Sequence, residues 1–275
     1  MILKYIFRHT NPDFLNRDLE KLTPKDILFR KAIYHSGFKF GLLLLSTITF
    51  IGVFVPFFVD MSPYDQDISK RLLPPVWSEG GSWQYIFGTD GNGRDYLARI
   101  IYGTRVSLTI GIGAATVGML IGVTLGVIAG YFGGIVDQVV SYILTCQLAL
   151  PGILFLLTII SIVGSSLTVV ILVIGVLHWT LFLVVTRAAT QRIRNLDYIT
   201  AAHAIGASKT NIIFTDILPN VLNQIIVIFT LEVGVAILAE ATISFLGLGI
   251  QPPTPSWGVL IAEGKEAIFF QPWLI

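Results

Sequence analysis

The stretch "VSLTIGIGAATVGMLIGVTLGVIAGYF", Val106 to Phe132, decides the fold. It carries no Asp, Glu, Lys, Arg or His and exceeds the roughly 20 residues that an α-helix needs to cross a hydrocarbon core. A small residue recurs every four positions, at Ala114, Gly118, Gly122, Gly126 and Gly130. Steps of four drift slowly around a helix, so these residues form one shallow stripe where a second helix can approach backbone to backbone. The segment therefore reads as a membrane span packed within a bundle.

Composition agrees. The 275 residues are 54% hydrophobic and 13% charged, and mean hydropathy is +0.77, whereas soluble domains carry about a quarter charged residues. The net charge of +1 comes from basic residues scattered along the chain, which excludes a nucleic-acid-binding patch. Cys146 is the only cysteine. It excludes an intrachain disulfide or a multi-cysteine metal site, and inside an apolar run it reads as a buried, inert thiol.

Uninterrupted apolar length gives four further spans. One runs over 41–59 and is read as a retained anchor, since about 40 residues precede it and no small-residue cleavage pattern follows. The 49 uncharged residues between Asp137 and Arg187 suit two helices, 139–163 and 168–186, turning at "GSSL", Gly164 to Leu167. The fifth, 221–245, contains Glu232 and Glu240. Basic residues crowd the segment before the first span (Lys4, Arg8, Arg17, Lys21, Lys25, Arg30, Lys31, Lys39) and the loop 187–220 (Arg187, Arg192, Arg194, Lys209), which places both in the cytoplasm. The loop 60–105, with five basic and six acidic residues, is then external. Residues 1–36 read as a cytoplasmic segment, with an amphipathic surface helix as one form, and 37–275 as the transmembrane domain.

Within the loop, "TAAHAIGASKTNIIFTDILPN", Thr200 to Asn220, has its own pattern. Asp197 to Ile205 reads as a short helix, Gly206 breaks it, and Ser208 starts a second helix that ends at Leu218 before Pro219 opens the next span. Ala201, Ala202, Ala204 and Ala207 give the elbow a narrow knuckle suited to a groove on another protein. "GASKT", Gly206 to Thr210, is no phosphate loop, because Ser208 stands where the G-x-x-x-x-G-K-[ST] pattern requires its second glycine.

These residues resemble the inner-membrane permease subunits of ATP-binding-cassette importers, in particular the dipeptide, oligopeptide and nickel group. The resemblance rests on Thr200-Ala201-Ala202, Gly206 and Leu218-Pro219, where the family has Glu-Ala-Ala, glycine and Leu-Pro. It rests also on "FGTDGNGRDYLARIIYGTRVSL" (Phe87 to Leu108) and "EATISFLGLGIQPPTPSWG" (Glu240 to Gly258), and covers nearly everything from Phe87 onward. It implies an all-α polytopic bundle of the type I importer kind, with six spans where five are visible before Ile275. The sequence accordingly reads as a fragment. It implies that Thr200, Ala201, Ala202, Gly206, Ala207, Leu218 and Pro219 couple the subunit to cytoplasmic ATPases. The implied partners are two such ATP-binding subunits, a second homologous permease subunit, an external substrate-binding protein and the bilayer of a bacterial inner membrane. ATP and magnesium would sit on the partners, with no cofactor on this chain. Thr200 departs from the family's glutamate, which bears on how firmly the elbow grips.

An ionisable group at membrane depth is a functional candidate by default. Glu232 stands about 20 Å along the helix from Pro219 and Glu240 about 31 Å, within about 80° of one face. Both, with His178, are candidates for the translocation path, the alternative being that each pairs with a polar neighbour. In the external loop "DGNGRD", Asp90, Asn92 and Asp95 offer oxygen ligands. Arg94 and Ile101 stand where a calcium loop wants an acid or amide and a bidentate glutamate, so the loop reads instead as an Arg94–Asp95 ion pair facing a binding protein. "QPPTPSWG", Gln251 to Gly258, reads as a rigid external turn. A secondary transporter is the rival class, but no internal repeat supports it, and no nucleophile–base constellation suggests an enzyme. Peptide and nickel permeases share the motifs quoted.

Overall fold

A computed structural model describes residues 33–59 and 61–275, which fall into two compact units, one ending at Val59 and one beginning at Asp60. Most of the 1–36 segment, and with it the amphipathic-helix reading, lies outside the described residues. The first unit holds α1, Ser36–Phe58, which begins ahead of the expected 41–59 because the His35 imidazole accepts from the Phe38 N–H at 3.2 Å and caps it.

The second unit is built around α2, Tyr96–Phe132. Asp95 caps α2 by accepting from the N–H groups of Leu97 (3.0 Å) and Ala98 (3.4 Å). The helix thus starts ten residues before the expected Val106, inside what was read as external loop. The charge of Arg105 set the expected boundary, yet the helix runs through it and through Arg99, which is fully buried in ion pairs. At 1.5 Å per residue α2 is about 55 Å long, well beyond the roughly 30 Å of a hydrocarbon core.

The small-residue stripe does what its spacing predicts. A Cβ added at Gly118 would meet the His178 carbonyl at 3.1 Å, and one at Gly122 would stand 2.3 Å from the Trp179 oxygen. At Gly126 it would lie 2.9 Å from the Leu183 oxygen and at Gly130 2.7 Å from the Arg187 oxygen. The four glycines thus lie directly on the backbone of α6, Trp179–Arg194, which also advances in fours. On its other sides α2 meets α5 (Leu167–Leu177) and α9 (Leu218–Phe245). The interior between them is aliphatic, with Ile110, Ala114, Ile160, Ile174, Ala236 and Ile243 at its centre.

The third span is not the straight helix expected over 139–163. It divides into α3 (Gly134–Leu148) and α4 (Gly152–Val163), bent by 82°. Pro151 has no N–H to donate and disfavours helical geometry at Leu150, so an apolar run without a charge still breaks there. Cys146, in the last turn of α3, is exposed within the described chain instead of buried. "GSSL" turns as expected, with Gly164 at φ +97° and Ser166 capping α5. The fourth span breaks at His178 and α6 runs on to Arg194, beyond the expected Thr186. Arg187 is tolerated on it because it pairs with Asp137 of α3 through Nη2 and Oδ2 at 2.6 Å.

The elbow consists of α7 (Asp197–Ala204), a turn at Gly206 (φ +86°), and α8 (Lys209–Ile212) capped by Ser208. Its second helix does not stop at Leu218. One π turn, Ile213–Ile217, joins α8 to α9 without a break, and the Leu218 N–H reaches back five residues to the Ile213 carbonyl. Pro219, which has no N–H to donate, follows directly on the π turn, where the regular α-helical hydrogen-bond pattern is already interrupted. Buried positions run Ile212, Ile217, Val221, Ile225, Ile228, Glu232, Ala236, Glu240, Ile243, in steps of three or four except for the step of five across the π turn.

Beyond α9, "QPPTPSWG" leads into α10, Trp257–Gly264, so the expected turn ends in a helix. Trp257 fixes it to α2, its backbone N–H donating to Ser107 Oγ (3.1 Å) and its indole N–H to Thr104 Oγ1 (3.2 Å). A Cβ on Gly258 would stand 2.6 Å from Ala241 Cα, so α10 also lies hard against α9.

Candidate functional site

Three polar places stand out along this apolar bundle: the elbow, the middle of α9, and the end of the bundle that carries α10.

At the elbow, the alanines divide by role. Ala202 and Ala207 pack with Ile199, Ile212 and Ile217 against the bundle, while Ala201 and Ala204 face outward. Thr200, Gly206 and Pro219 are exposed and Leu218 is half-buried. Ile205, at the tip, is 86% exposed, and Phe214 on the π turn is 63% exposed. Sequence reading looked for small residues and passed over Ile205; an isoleucine immediately before a helix-ending glycine was the available signal.

In the middle of α9, Glu232 Oε2 lies 2.7 Å from His178 Nδ1. The two candidates named separately from the sequence are thus one pair. His178 sits at the α5–α6 break, opposite α9. Gln147, from the last turn of α3, braces that break: its Nε2 donates to the Leu177 carbonyl (2.8 Å), and its Oε1 accepts from the Trp179 indole N–H. Alongside lies a cavity of about 880 Å³, lined by Cys146, Gln147, Leu156, His178, Glu232 and Val235 among others. Its wall is mostly apolar, and the acid–imidazole pair is its ionisable feature besides the Cys146 thiol.

Glu240 has other company. It is fully buried, and its Oε1 accepts from Ser244 (2.6 Å) and Ser256 (2.8 Å). Ser256 also caps α10. The structure therefore separates the two glutamates: Glu232 borders the cavity, whereas Glu240 holds α10 to α9.

At the α10 end the expected Arg94–Asp95 pair does not form, since Asp95 is engaged as the cap of α2. Arg94 Nε instead donates to Asp90 Oδ2 (2.7 Å), and its Nη2 reaches Glu263 of α10 (3.1 Å). Arg99 Nη1 donates to Asp90 Oδ2 (2.6 Å) and to Glu263. Asp90 Oδ1 accepts from the N–H groups of Asn92 (2.8 Å) and Arg94 (3.0 Å). Two arginines and two carboxylates thus cross-link loop, α2 and α10, with Asp90 and both arginines buried. Gly93 (φ +73°) lets the loop pass so close to Asp67 that a Cβ would stand 1.9 Å from its carbonyl oxygen. Asp90 is engaged by arginines and Asp95 by a helix end, so the two carboxylates do not converge with Asn92 on a common point. Arg99 and Glu263 were missed from sequence because 164 residues separate them.

This arrangement of a glycine-packed bundle, an exposed elbow and a polar pair beside a cavity is joined by direct similarity. Residues 122–275 match the family described as binding-protein-dependent transport system inner membrane component. The chain belongs to this family. It is a multi-pass inner-membrane transport permease. It is 34% identical over 253 residues to the di/tripeptide transport system permease protein DppC of Pseudomonas aeruginosa, covering 92% of this chain and 84% of that protein. It is 37% identical over 239 residues to the dipeptide transport system permease protein DppC of Haemophilus influenzae, covering 87% and 81%. With the protein of the same description from Escherichia coli K12 it shares 37% over 242 residues, covering 88% and 81%.

Proposed function

We propose that this permease forms one half of the translocation path of a peptide importer and is driven by ATP-binding subunits that engage the elbow. The exposed Ile205 at the elbow tip carries this reading. A fully presented isoleucine at a rigid, basic-flanked turn is a poor surface in water and a good anchor in a partner's groove. Thr200, Ala201 and Ala204 surround it with small side chains, and α8 runs without a joint into α9, so a displacement at the tip enters the membrane as movement of a span. On this reading the elbow and the N-terminus lie in the cytoplasm, and the α10 end faces an external substrate-binding protein. A second homologous permease subunit completes the path, two ATP-binding subunits hydrolyse ATP, and this chain binds no cofactor. Alternation between inward- and outward-open states is then a population shift biased by nucleotide on the partners.

The peptide class is supported by the relatives' descriptions, and the cavity beside Glu232 is the place in this chain where a polar substrate would pass. The test is purification of the assembled complex followed by uptake into proteoliposomes with the cognate binding protein. ATP-binding subunits should copurify, and a dipeptide should be taken up only with ATP inside. Uptake of Ni²⁺ in place of peptide would overturn the substrate class; uptake without ATPase subunits would overturn the coupling.

A further inference from the structure

The last turn of α2 reaches both helices of the elbow and the end of α6. Tyr131 is buried among Phe182, Ile193, Ile199 and Ile212, and its hydroxyl lies 3.3 Å from Nε2 of His203 in the last turn of α7. The two rings are 6.3 Å apart and inclined by 30°. The Tyr131 carbonyl accepts from Arg194 Nη1 at the end of α6 (2.7 Å), and Lys209 of α8 lies 5.8 Å from the centre of the adjacent Phe132 ring. The other holds on α7 are apolar, through Ile199 and Ala202. Apolar contact is non-directional and lets a short helix slide or roll, whereas a hydrogen bond fixes direction as well as distance. His203 stands two residues before Ile205, so it is the polar group of α7 nearest the tip that is tied to a membrane helix.

We propose that Tyr131 and His203 are positioning residues of energy coupling: their hydrogen bond is the strut that passes displacement of the elbow to α2. Besides its apolar packing and the Lys209–Phe132 contact, the elbow is joined to the bundle by its chain connections to α6 and α9. The strut adds a directional tie to α2, so that α2 and α9 are driven together and not one past the other. From Tyr131 the motion continues without a joint, because Gly130, Gly126, Gly122 and Gly118 hold α2 on the backbone of α6 as far as His178. This inference rests on the reading of the elbow as the place where ATP-binding subunits engage.

The test uses the complete transporter in proteoliposomes with its binding protein, and reads dipeptide uptake and ATP hydrolysis as a ratio. Tyr131→Phe keeps the buried ring and removes the hydroxyl; His203→Phe keeps a flat side chain and removes the partner. Each is expected to lower uptake per ATP by about three- to tenfold, the weight of one hydrogen bond, with ATP-binding subunits still copurifying. The double variant is expected to be no worse than either single one. His203→Gln, which can again meet the tyrosine hydroxyl, is expected to restore most of the ratio. An unchanged ratio in Tyr131→Phe would overturn the strut, as would additive single losses. A parallel fall of uptake, hydrolysis and thermal stability would reduce the pair to a structural contact and overturn it too. Failure of ATP-binding subunits to copurify with the unaltered chain would instead strike the reading of the elbow itself.

Discussion

Replacing Gly122 with alanine adds a single methyl group at the tightest point between α2 and α6. The new Cβ would stand 2.3 Å from the Trp179 carbonyl oxygen, 2.6 Å from Phe182 Cβ and 3.0 Å from the Leu183 nitrogen. Two of these neighbours are backbone and the third is a Cβ, so none can turn aside. Relief requires the two helices to part by about 1 Å, which forfeits up to about half of each dispersion contact along the seam. Overpacking of this kind costs about 1–3 kcal/mol, against which alanine returns up to about 1 kcal/mol of helix propensity. A net loss of about 1 kcal/mol should lower the apparent Tm by about 2–4 °C, read as the fraction of purified protein that stays monodisperse after heating in detergent. The clearances also set an order among the alanine variants: Gly122 worst, then Gly130 at 2.7 Å, Gly126 at 2.9 Å and Gly118 at 3.1 Å. Gly234, also in a span, has nothing within 4 Å of its added Cβ and serves as the control. If Gly122→Ala and Gly234→Ala unfold at the same temperature, the stripe is not the seam it is described to be.

Other variants address the remaining places. Asp90→Asn removes the charge shared by Arg94 and Arg99 and should destabilise the α10 end by about 3 kcal/mol; cleavage of the 60–95 loop by added protease should accelerate, and an unchanged rate would refute the cross-link. Glu232→Gln keeps shape while removing the charge beside the cavity, and peptide uptake should fall at least severalfold; uptake equal to the parent would make the His178 pair a packing feature alone. Gly206→Trp should leave insertion and assembly of the bundle intact, because no atom lies within 4 Å of its added Cβ. It should nonetheless reduce uptake, since φ +86° strains the tip by about 1–2 kcal/mol and the indole covers the face beside Ile205. Unimpaired uptake would argue against engagement there.

What could be seen in the sequence were the features that depend on neighbours along one helix. The stripe at Gly118 to Gly130 fixed a packed seam because its period belongs to a helix, and Gly206 with Ser208 announced an elbow because a stop and a cap are local. The bend at Ala149 to Pro151 was hidden: both arms are apolar, and charge counting carries no information about direction. Pairing was hidden for a different reason. Asp90, Arg94 and Arg99 are close in sequence, but the partner that completes them, Glu263, arrives only once α10 has folded back on α2. The same distance concealed that His178 and Glu232 are partners, 54 residues apart. Where the expectation erred it used charge as a boundary, at Arg105 and at Arg187; the helices run through both, and Arg187 is accommodated by Asp137 brought to it on α3.

The π turn between α8 and α9 gives the elbow a property that a jointed loop would lack. By taking up one residue more than a regular turn, it rotates α8 so that Ile212 comes onto the line of Ile217 and Val221 while the backbone hydrogen bonds continue. The chain therefore has a lever and its shaft cut from one piece, with the lever's angle set by a single turn. The same residues wound as a regular α-helix, without the π turn, would point the elbow about 100° away from its present direction. The winding of this segment, more than the identity of any side chain in it, aims the tip.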